Sequence, residues 1–202
     1  MATLNEGLCV CLGIDPGRAS GASLVDLCPV PGKAPYPRLR GTWAVSGADD
    51  RLWYRRAVQA VQEAAGLLRE GEAKVCFLEQ IPVTMKDNSI EGVKRGHAAW
   101  AGLGKRWGAW QSILFAHDWE VRVIDQKDWT KACGVKKSKE AAGGPMGRVR
   151  EAQNRIYGFN RVEGPKNEKI FGDVAESALI ALAGSLKIKS ALAGSLKENS
   201  GG

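Results

Sequence analysis

The sequence has no long apolar run, no C-x-x-C pair among its five cysteines, and only two histidines. A membrane-spanning helix needs ~20 predominantly apolar residues, and no run approaches that length. The N-terminal stretch has no basic region ahead of its apolar run and carries Glu6, so we expect no secretory signal. An odd cysteine count without such a signal is typical of a reducing compartment. We therefore predict a cytoplasmic protein.

The charge balance points to an anionic partner. The chain has 202 residues, with 29 Lys and Arg against 22 Asp and Glu, for a net charge of +7. An excess of this size favours binding to a polyanion such as nucleic acid, although a basic enzyme with an unrelated substrate has the same composition. The length suits one domain with a sizeable core.

Hydrophobic patterning predicts the element order β-β-β-α-β-α-β-α-α. The order implies an α/β fold with a mixed five-stranded sheet, three antiparallel strands followed by two parallel ones, flanked by helices. The predicted strands are Leu8–Ile14, Ser20–Leu27, Leu39–Ser46, Val75–Leu78 and Val121–Ile124. Between the second and third strands, Cys28–Pro37 holds four prolines, and we predict a loop there.

The second half of the chain is predicted to be mainly helical. A polar segment from Pro82 to Gly96 is expected to be a mobile loop, and a helix follows that ends near His117. The last helix is predicted to begin near Asp173. We assign residues 1–188 to a single domain and 189–202, where a short segment is repeated, to a flexible tail.

Four acidic residues occupy positions where a metal site can form. Asp15 and Glu79 end two predicted buried strands, while Asp173 and Glu176 are three residues apart near a helix start and share one face. Several ionised carboxylates can share a small site only if cations neutralise them, and hard oxygen ligands favour Mg²⁺ or Mn²⁺. Taken singly, these residues also suit a turn, a surface charge and a helix cap.

Three segments carry a family resemblance. Gly13-Ile-Asp-Pro-Gly-Arg-Ala-Ser-Gly21, Phe77-Leu-Glu-Gln80 and Gly172-Asp-Val-Ala-Glu-Ser-Ala178 resemble motifs of the RuvC family of Holliday junction resolvases. The similarity is greater to bacteriophage-type members, which Gly104-Lys-Arg-Trp-Gly108 and Asp128-Trp-Thr-Lys131 also resemble.

The resemblance implies an RNase H-like fold, a homodimer, and symmetric Mg²⁺-dependent nicking of four-way DNA junctions in recombination and repair. It implies two Mg²⁺ ions per active site, with Mn²⁺ as a substitute, no nucleotide cofactor and no membrane partner. The implied catalytic residues and metal ligands are Asp15, Glu79, Asp173 and Glu176. At the last of these positions the family commonly has Asp. If a phage encodes the chain, its location is the host cytoplasm.

Basic residues form two candidate DNA-binding groups. The first lies between Lys127 and Arg161, just before the final acidic pair, and the second is interleaved with tryptophan and glycine. Phosphate contacts from such groups give salt-sensitive binding with little sequence information. The candidate DNA-binding residues are Arg18, Lys94, Arg95, His97, Lys105, Arg106, Lys131, Lys136, Lys137, Lys139, Arg148 and Arg150. Solvated charged faces are the alternative interpretation.

Other functions stay open at this stage. The same fold and chemistry suit RNA–DNA hybrids, flaps or replication forks, and the carboxylates alone do not separate these substrates. An actin-like kinase or ATPase also begins with a strand, an Asp and a Gly, but it needs two such domains. A non-catalytic architectural DNA binder explains the charge but not the four acids.

Overall fold

The computed structural model describes residues 9–17, 19–30, 33–81, 90–135, 144–164 and 166–199, with side chains at 90–99, 144 and 192–199 outside this description. The strands are β1 (Val10–Asp15), β2 (Ser20–Val30), β3 (Lys33–Val45), β4 (Val75–Glu79) and β5 (Glu120–Ile124). The helices are α1 (Asp50–Gly66), α2 (Ile90–Ala116), α3 (Gln126–Ala132), α4 (Gly144–Arg155) and α5 (Glu168–Asn199), with a 3₁₀ turn at Phe159–Arg161.

The five strands form one mixed sheet in the order β3-β2-β1-β4-β5. The first three strands pair antiparallel through hairpins, whereas β4 and β5 run parallel to β1. Parallel neighbours need a crossover, and α1 and α2 supply the two crossovers. This topology confirms the predicted fold class.

Helices cover both faces of the sheet, so the central strands are buried on both sides. On β1, Leu12 and Ile14 join the core under α1 and α2, while Cys11 joins the core under α3, α4 and α5. Side chains alternate between faces along a strand. The alternation therefore places Asp15 on the face that α5 covers, together with Cys11 and Gly13.

Two glycines allow α5 to lie unusually close to the sheet. A Cβ atom added at Gly13 would lie 2.2 Å from the carbonyl oxygen of Ser177, and one added at Gly21 would lie 2.2 Å from that of Asp173. No side chain fits in such a space, so the backbone of α5 packs directly on β1 and β2. This contact fixes the height of α5 over the strand ends.

A buried serine pair reinforces the same contact. The hydroxyl of Ser23 on β2 lies 2.7 Å from that of Ser177 on α5 and 3.0 Å from that of Thr42 on β3. Ser23 also donates to the carbonyl of Val174 at 3.3 Å. Because buried hydroxyls must keep their partners, this network opposes sliding of α5 along the sheet.

The loop predicted at Cys28–Pro37 was wrong, because β2 extends to Val30 and β3 begins at Lys33. The strand β3 is an edge strand, where prolines are tolerated if the missing N–H would point outward. The carbonyl of Pro37 points away from β2 and accepts from the N–H of Tyr157 at 2.9 Å. Pro35 lies where the register of the two strands shifts between Cys28 and Val30, and the ladder pairs it with no residue of β2.

Two helices begin earlier than their apolar periodicity predicts. Helix α2 starts at Ile90, so the segment 90–96 is helical, while 82–89 lies outside the described residues. Helix α5 starts at Glu168, where the Asn167 side chain accepts from two backbone N–H groups of the first turn. In these first turns charged residues and glycine interrupt the apolar residues, as in Ile90-Glu-Gly-Val93 and Glu168-Lys-Ile-Phe171, so the apolar pattern missed them.

The C-terminal segment is helical through Asn199, beyond residue 188, where we predicted that the tail begins. Its backbone continues α5 without a break in the described residues. None of the helices that the structure describes combines the length and the apolar character needed to cross a membrane.

We predict that Gly13→Ala destabilises the fold. The added methyl would meet backbone atoms of Ser177 and Ala181 at 2.2–2.3 Å, and backbone cannot move aside without lifting α5. Overpacking of this kind costs about 1–3 kcal/mol of unfolding free energy. Urea unfolding followed by circular dichroism measures the loss.

Gly104→Ala is the matched control, since no atom lies within 4 Å of the Cβ position at Gly104 in the middle of α2. Alanine there is expected to raise stability by up to about 1 kcal/mol through helix propensity. Equal stability of Gly13→Ala and wild type would contradict the close packing of α5.

Candidate metal centre

The sheet register brings Asp15 and Glu79 side by side. Strands β1 and β4 are parallel neighbours, and Ile14 pairs with Leu78, so the next residue along each strand is the acid. Both strands end there, and their alternation turns both carboxylates toward α5. The register therefore places the two residues together at the carboxyl ends of parallel strands.

Helix α5 contributes the third carboxylate. Asp15, Glu79 and Glu176 each offer an oxygen atom, and these atoms all lie within 4.8 Å of one another. We call this group of three the acidic centre. Asp173, one helical turn before Glu176, falls outside that group, but its charge still raises the pKa of Asp15 and of Glu79.

Burial raises the pKa of every carboxyl group here, and repulsion between carboxylates raises the pKa of Asp15, Glu79 and Asp173 further. The pKa of Asp15 lies well above its usual range, first because the group is buried and then because Glu79, Glu176 and Asp173 are near. Burial raises the pKa of Glu79 to about 7 and that of Asp173 to about 6. Repulsion of this kind is relieved when a cation neutralises the carboxylates.

Hydrogen bonds hold Asp15 and Glu79 in place. The indole N–H of Trp129 on α3 donates to Oε1 of Glu79 at 3.0 Å, and that of Trp107 on α2 donates to its backbone carbonyl at 3.1 Å. The backbone N–H of Gly17 donates to Oδ1 of Asp15 at 3.2 Å. Each carboxylate keeps a second oxygen for another ligand.

Among the residues that the structure describes, one arginine contacts the acidic centre. Nε of Arg148 on α4 donates to Oε1 of Glu176 at 3.0 Å, and the guanidinium lies over the ring of Trp129 at 5.3 Å. Burial raises the pKa of Glu176, and this ion pair opposes the shift. Arg148 thus contacts both Glu176 and Trp129, the tryptophan that donates to Glu79.

The donor set fits a hard divalent cation. It consists of carboxylate oxygens, which Mg²⁺ and Mn²⁺ prefer, and the described residues place no thiol or imidazole in the group. Asp15, Glu79 and Glu176 could hold an ion together, with Asp173 within electrostatic reach. Such an ion would also offset the repulsion that raises their pKa values.

Two of the predicted DNA-binding residues instead connect helices. Lys105 on α2 forms an ion pair with Asp50 of α1 at 2.6 Å, and Arg106 lies 3.7 Å from the same carboxylate. The guanidinium of Arg106 also lies over the ring of Trp53 at 5.9 Å. Lys105 is nevertheless two-thirds exposed, so its role with DNA stays a prediction.

The remaining predicted basic residues divide into three groups. Lys131 on α3 and Arg150 on α4 are exposed, and Arg148 lies in the site itself. Lys94, Arg95 and His97 fall on α2, with side chains outside the described residues. Also outside the described residues are Arg18, Lys136, Lys137 and Lys139.

Sequence reasoning missed the two tryptophans that position Glu79. Trp107 was assigned to the core stripe of its helix, and Trp129 was noticed only as part of a family-like motif. A signal was available for Trp129, because an indole at a buried position needs an acceptor for its N–H. The acceptor, Glu79, lies 50 residues away in the sequence, so only the folded structure identifies it.

We predict that the metal-free protein loses stability as pH rises from about 4.5 to 7. The folded-state pKa of Glu79 is about 7 against an ordinary value of 4.5, so the folded state binds the proton more tightly than the unfolded chain. Stability is therefore fully present below the unfolded pKa and is lost as pH rises through the folded one. Thermal melts across this range measure the slope.

Glu79→Gln should remove that contribution while keeping an acceptor for Trp129. At pH 8 the variant is expected to be more stable than the metal-free wild type by roughly 1–3 kcal/mol. At pH 4 the two should melt together. A variant that is less stable at pH 8 would contradict the raised pKa.

Divalent cations are predicted to make wild type more stable than Glu79→Gln, the reverse of the order expected without metal at pH 8. Mg²⁺ or Mn²⁺ that binds only the folded state raises its melting temperature as concentration increases. Wild type should gain from the added cation, and Glu79→Gln should gain little because one ligand charge is lost. Equal gains in both proteins would show that the cation binds elsewhere.

Comparison with known proteins supports the fold. No protein-family model matches the chain, and no curated protein matches it in sequence. The structure of Thermus thermophilus RuvC matches with a TM-score of 0.59 and 17% identity, covering 90% of this chain and 96% of that one. T. thermophilus RuvC in complex with a Holliday junction substrate matches with a TM-score of 0.58, 15% identity and the same coverage. The chain thus has the RuvC-like, RNase H-like fold.

Proposed function

We propose that the protein is a structure-specific DNA endonuclease that resolves four-way junctions by metal-dependent phosphodiester hydrolysis. The observation that carries the proposal is the acidic centre of Asp15, Glu79 and Glu176, formed where two parallel strands end under α5. A carboxylate group of this kind serves the chemistry of divalent-ion nucleases.

The fold and the charge support DNA as the substrate. A structural neighbour, T. thermophilus RuvC, is described in complex with a Holliday junction substrate. The net charge of +7 suits a polyanionic partner. Lys131 and Arg150 are exposed on α3 and α4, which flank the acidic centre, and offer phosphate contacts there.

The proposed metal ligands are Asp15, Glu79 and Glu176, with Asp173 completing the set for a second ion. Bound Mg²⁺ would supply an activated water and neutralise the charge that develops on the phosphate and the leaving oxygen. Trp129 and Trp107 keep Glu79 fixed, and Gly17 fixes Asp15. This fixed geometry reduces the reorganisation needed before the reaction.

Symmetric resolution requires two active sites, so we propose a homodimer that cuts a two-fold symmetric junction. We further propose Mg²⁺ as the physiological ion with Mn²⁺ as a substitute, a bacteriophage-type member of the family, and action in the cytoplasm. The dimer, the choice of ion and the type of family member rest on the sequence motifs around Asp15, Glu79 and Asp173, and the location rests on the odd cysteine count.

Incubation with a labelled synthetic four-way junction tests the function. Wild type with Mg²⁺ or Mn²⁺ is expected to produce paired nicks at symmetric positions on a denaturing gel. Asp15→Asn should reduce the rate by at least about 100-fold, because removal of a direct ligand should cost no less than loss of an outer-sphere partner. The variant keeps the acceptor for Gly17.

Matched duplex, flap, fork and RNA–DNA hybrid substrates define the alternatives. Preferential cutting of a flap, fork or hybrid would retain the nuclease centre and replace the junction as substrate. Tight junction binding without cutting in either metal, with wild type and Asp15→Asn alike, would contradict the enzyme and favour an architectural DNA binder.

A further inference from the structure

Arg148 is the one cation among the described residues that contacts the acidic centre directly. Its side chain is only 11% exposed, and Nε is committed to Glu176. The ring of Trp129 supports the face of the guanidinium and donates its own N–H to Glu79. The arginine is therefore held beside the acidic centre by contacts with α5 and α3.

One end of this guanidinium is buried without a partner. Nη1 of Arg148 has no hydrogen-bond acceptor among the described residues and almost no accessible surface. Buried charged donors are costly when unpaired, and they are normally satisfied by a carboxylate, a phosphate or water. The carboxylates nearby belong to the acidic centre, and Nε already serves Glu176.

Charge balance indicates which acceptor suits Nη1. Two divalent cations at the centre would neutralise the four carboxylates of Asp15, Glu79, Asp173 and Glu176. The guanidinium of Arg148 then leaves one positive charge in a largely buried site. A single phosphodiester group carries one negative charge and two non-bridging oxygens that accept hydrogen bonds from a guanidinium.

We propose that Arg148 binds the phosphodiester at the centre by donating from Nη1 to a non-bridging oxygen. The inference rests on the proposed function, since it places the reacting phosphate beside the acidic centre. Arg148 then has two tasks, with Nε orienting Glu176 and Nη1 contacting substrate. A lysine could not perform both tasks, because an ammonium lacks the planar fork and does not stack on Trp129 in the same way.

The test uses a minimal probe that carries one phosphodiester, the dinucleotide d(TpT), and its uncharged methylphosphonate counterpart. Binding of each to the full chain in Mg²⁺ is measured by NMR titration, and the ¹H–¹⁵N signal of the Arg148 Nε group is followed. Mg²⁺ affinity without dinucleotide is measured in parallel by calorimetry. Arg148→Met, Arg148→Lys and Arg122→Met are compared with wild type.

Wild type is expected to prefer d(TpT) over the methylphosphonate, with a shift of the Arg148 signal. Arg148→Met should reduce that preference about ten- to a hundred-fold, the effect of losing a charge-assisted hydrogen bond. Arg148→Lys should restore it only in part. Arg122→Met removes an exposed arginine paired with Glu120 on β5, so it should keep the preference.

Arg148→Met should bind Mg²⁺ at least as tightly as wild type, since a nearby positive charge is removed. A loss of Mg²⁺ affinity together with an unchanged preference would assign Arg148 to the placement of Glu176 alone and overturn the phosphate contact. An unchanged preference in both Arg148 variants, checked to be folded by their thermal melts, would overturn it as well.

The outcomes separate this inference from the proposed function. If wild type fails to cut junctions but still prefers d(TpT) through Arg148, the phosphate contact stands and the nuclease assignment fails. If wild type cuts junctions and Arg148→Met cuts them equally well with the same preference, the function stands and the contact fails.

Discussion

The direct packing of α5 on β1 and β2 is the contact on which the site depends. Gly13 and Gly21 leave no room for a side chain between the helix and the sheet, so Glu176 is delivered to the height of the strand ends. Strand register delivers Asp15 and Glu79 to the same place. The acidic centre is therefore a consequence of backbone packing, and the helix cannot withdraw without opening the core that α5 shares with the sheet.

That packing forces like charges together, at a cost in stability. The raised pKa values of Asp15, Glu79, Asp173 and Glu176 have burial as their first cause. The hydrogen bond from Trp129 and the guanidinium of Arg148 offset only part of this cost. Several carboxylates buried together at the ends of strands are typical of a functional site, where bound cations neutralise the negative charges.

Sequence patterns predicted the parts of this arrangement that are local. Short continuous apolar runs and their ends located Asp15 and Glu79, and the spacing of Asp173 and Glu176 placed them on one helix face. The prolines before Leu39 predicted a loop where β3 forms, because an edge position is a property of the assembled sheet and not of the segment. The contacts of Arg148 with Glu176 and Trp129 lie on α5 and α3, so the sequence alone could not show them, and its contact with DNA stays a prediction. Lys105 and Arg106 of α2 both lie against Asp50 of α1, so part of this basic stretch connects two helices. Their role with DNA stays a prediction.

Anomalous diffraction from crystals grown with Mn²⁺ would show directly whether the acidic centre binds divalent cations. We expect a Mn²⁺ peak bonded to carboxylate oxygens of Asp15, Glu79 and Glu176, with a second ion on the Asp173 side, and no equivalent peaks in Asp15→Asn. Mn²⁺ bound only at other acidic residues, with the acidic centre empty at saturating metal, would contradict it.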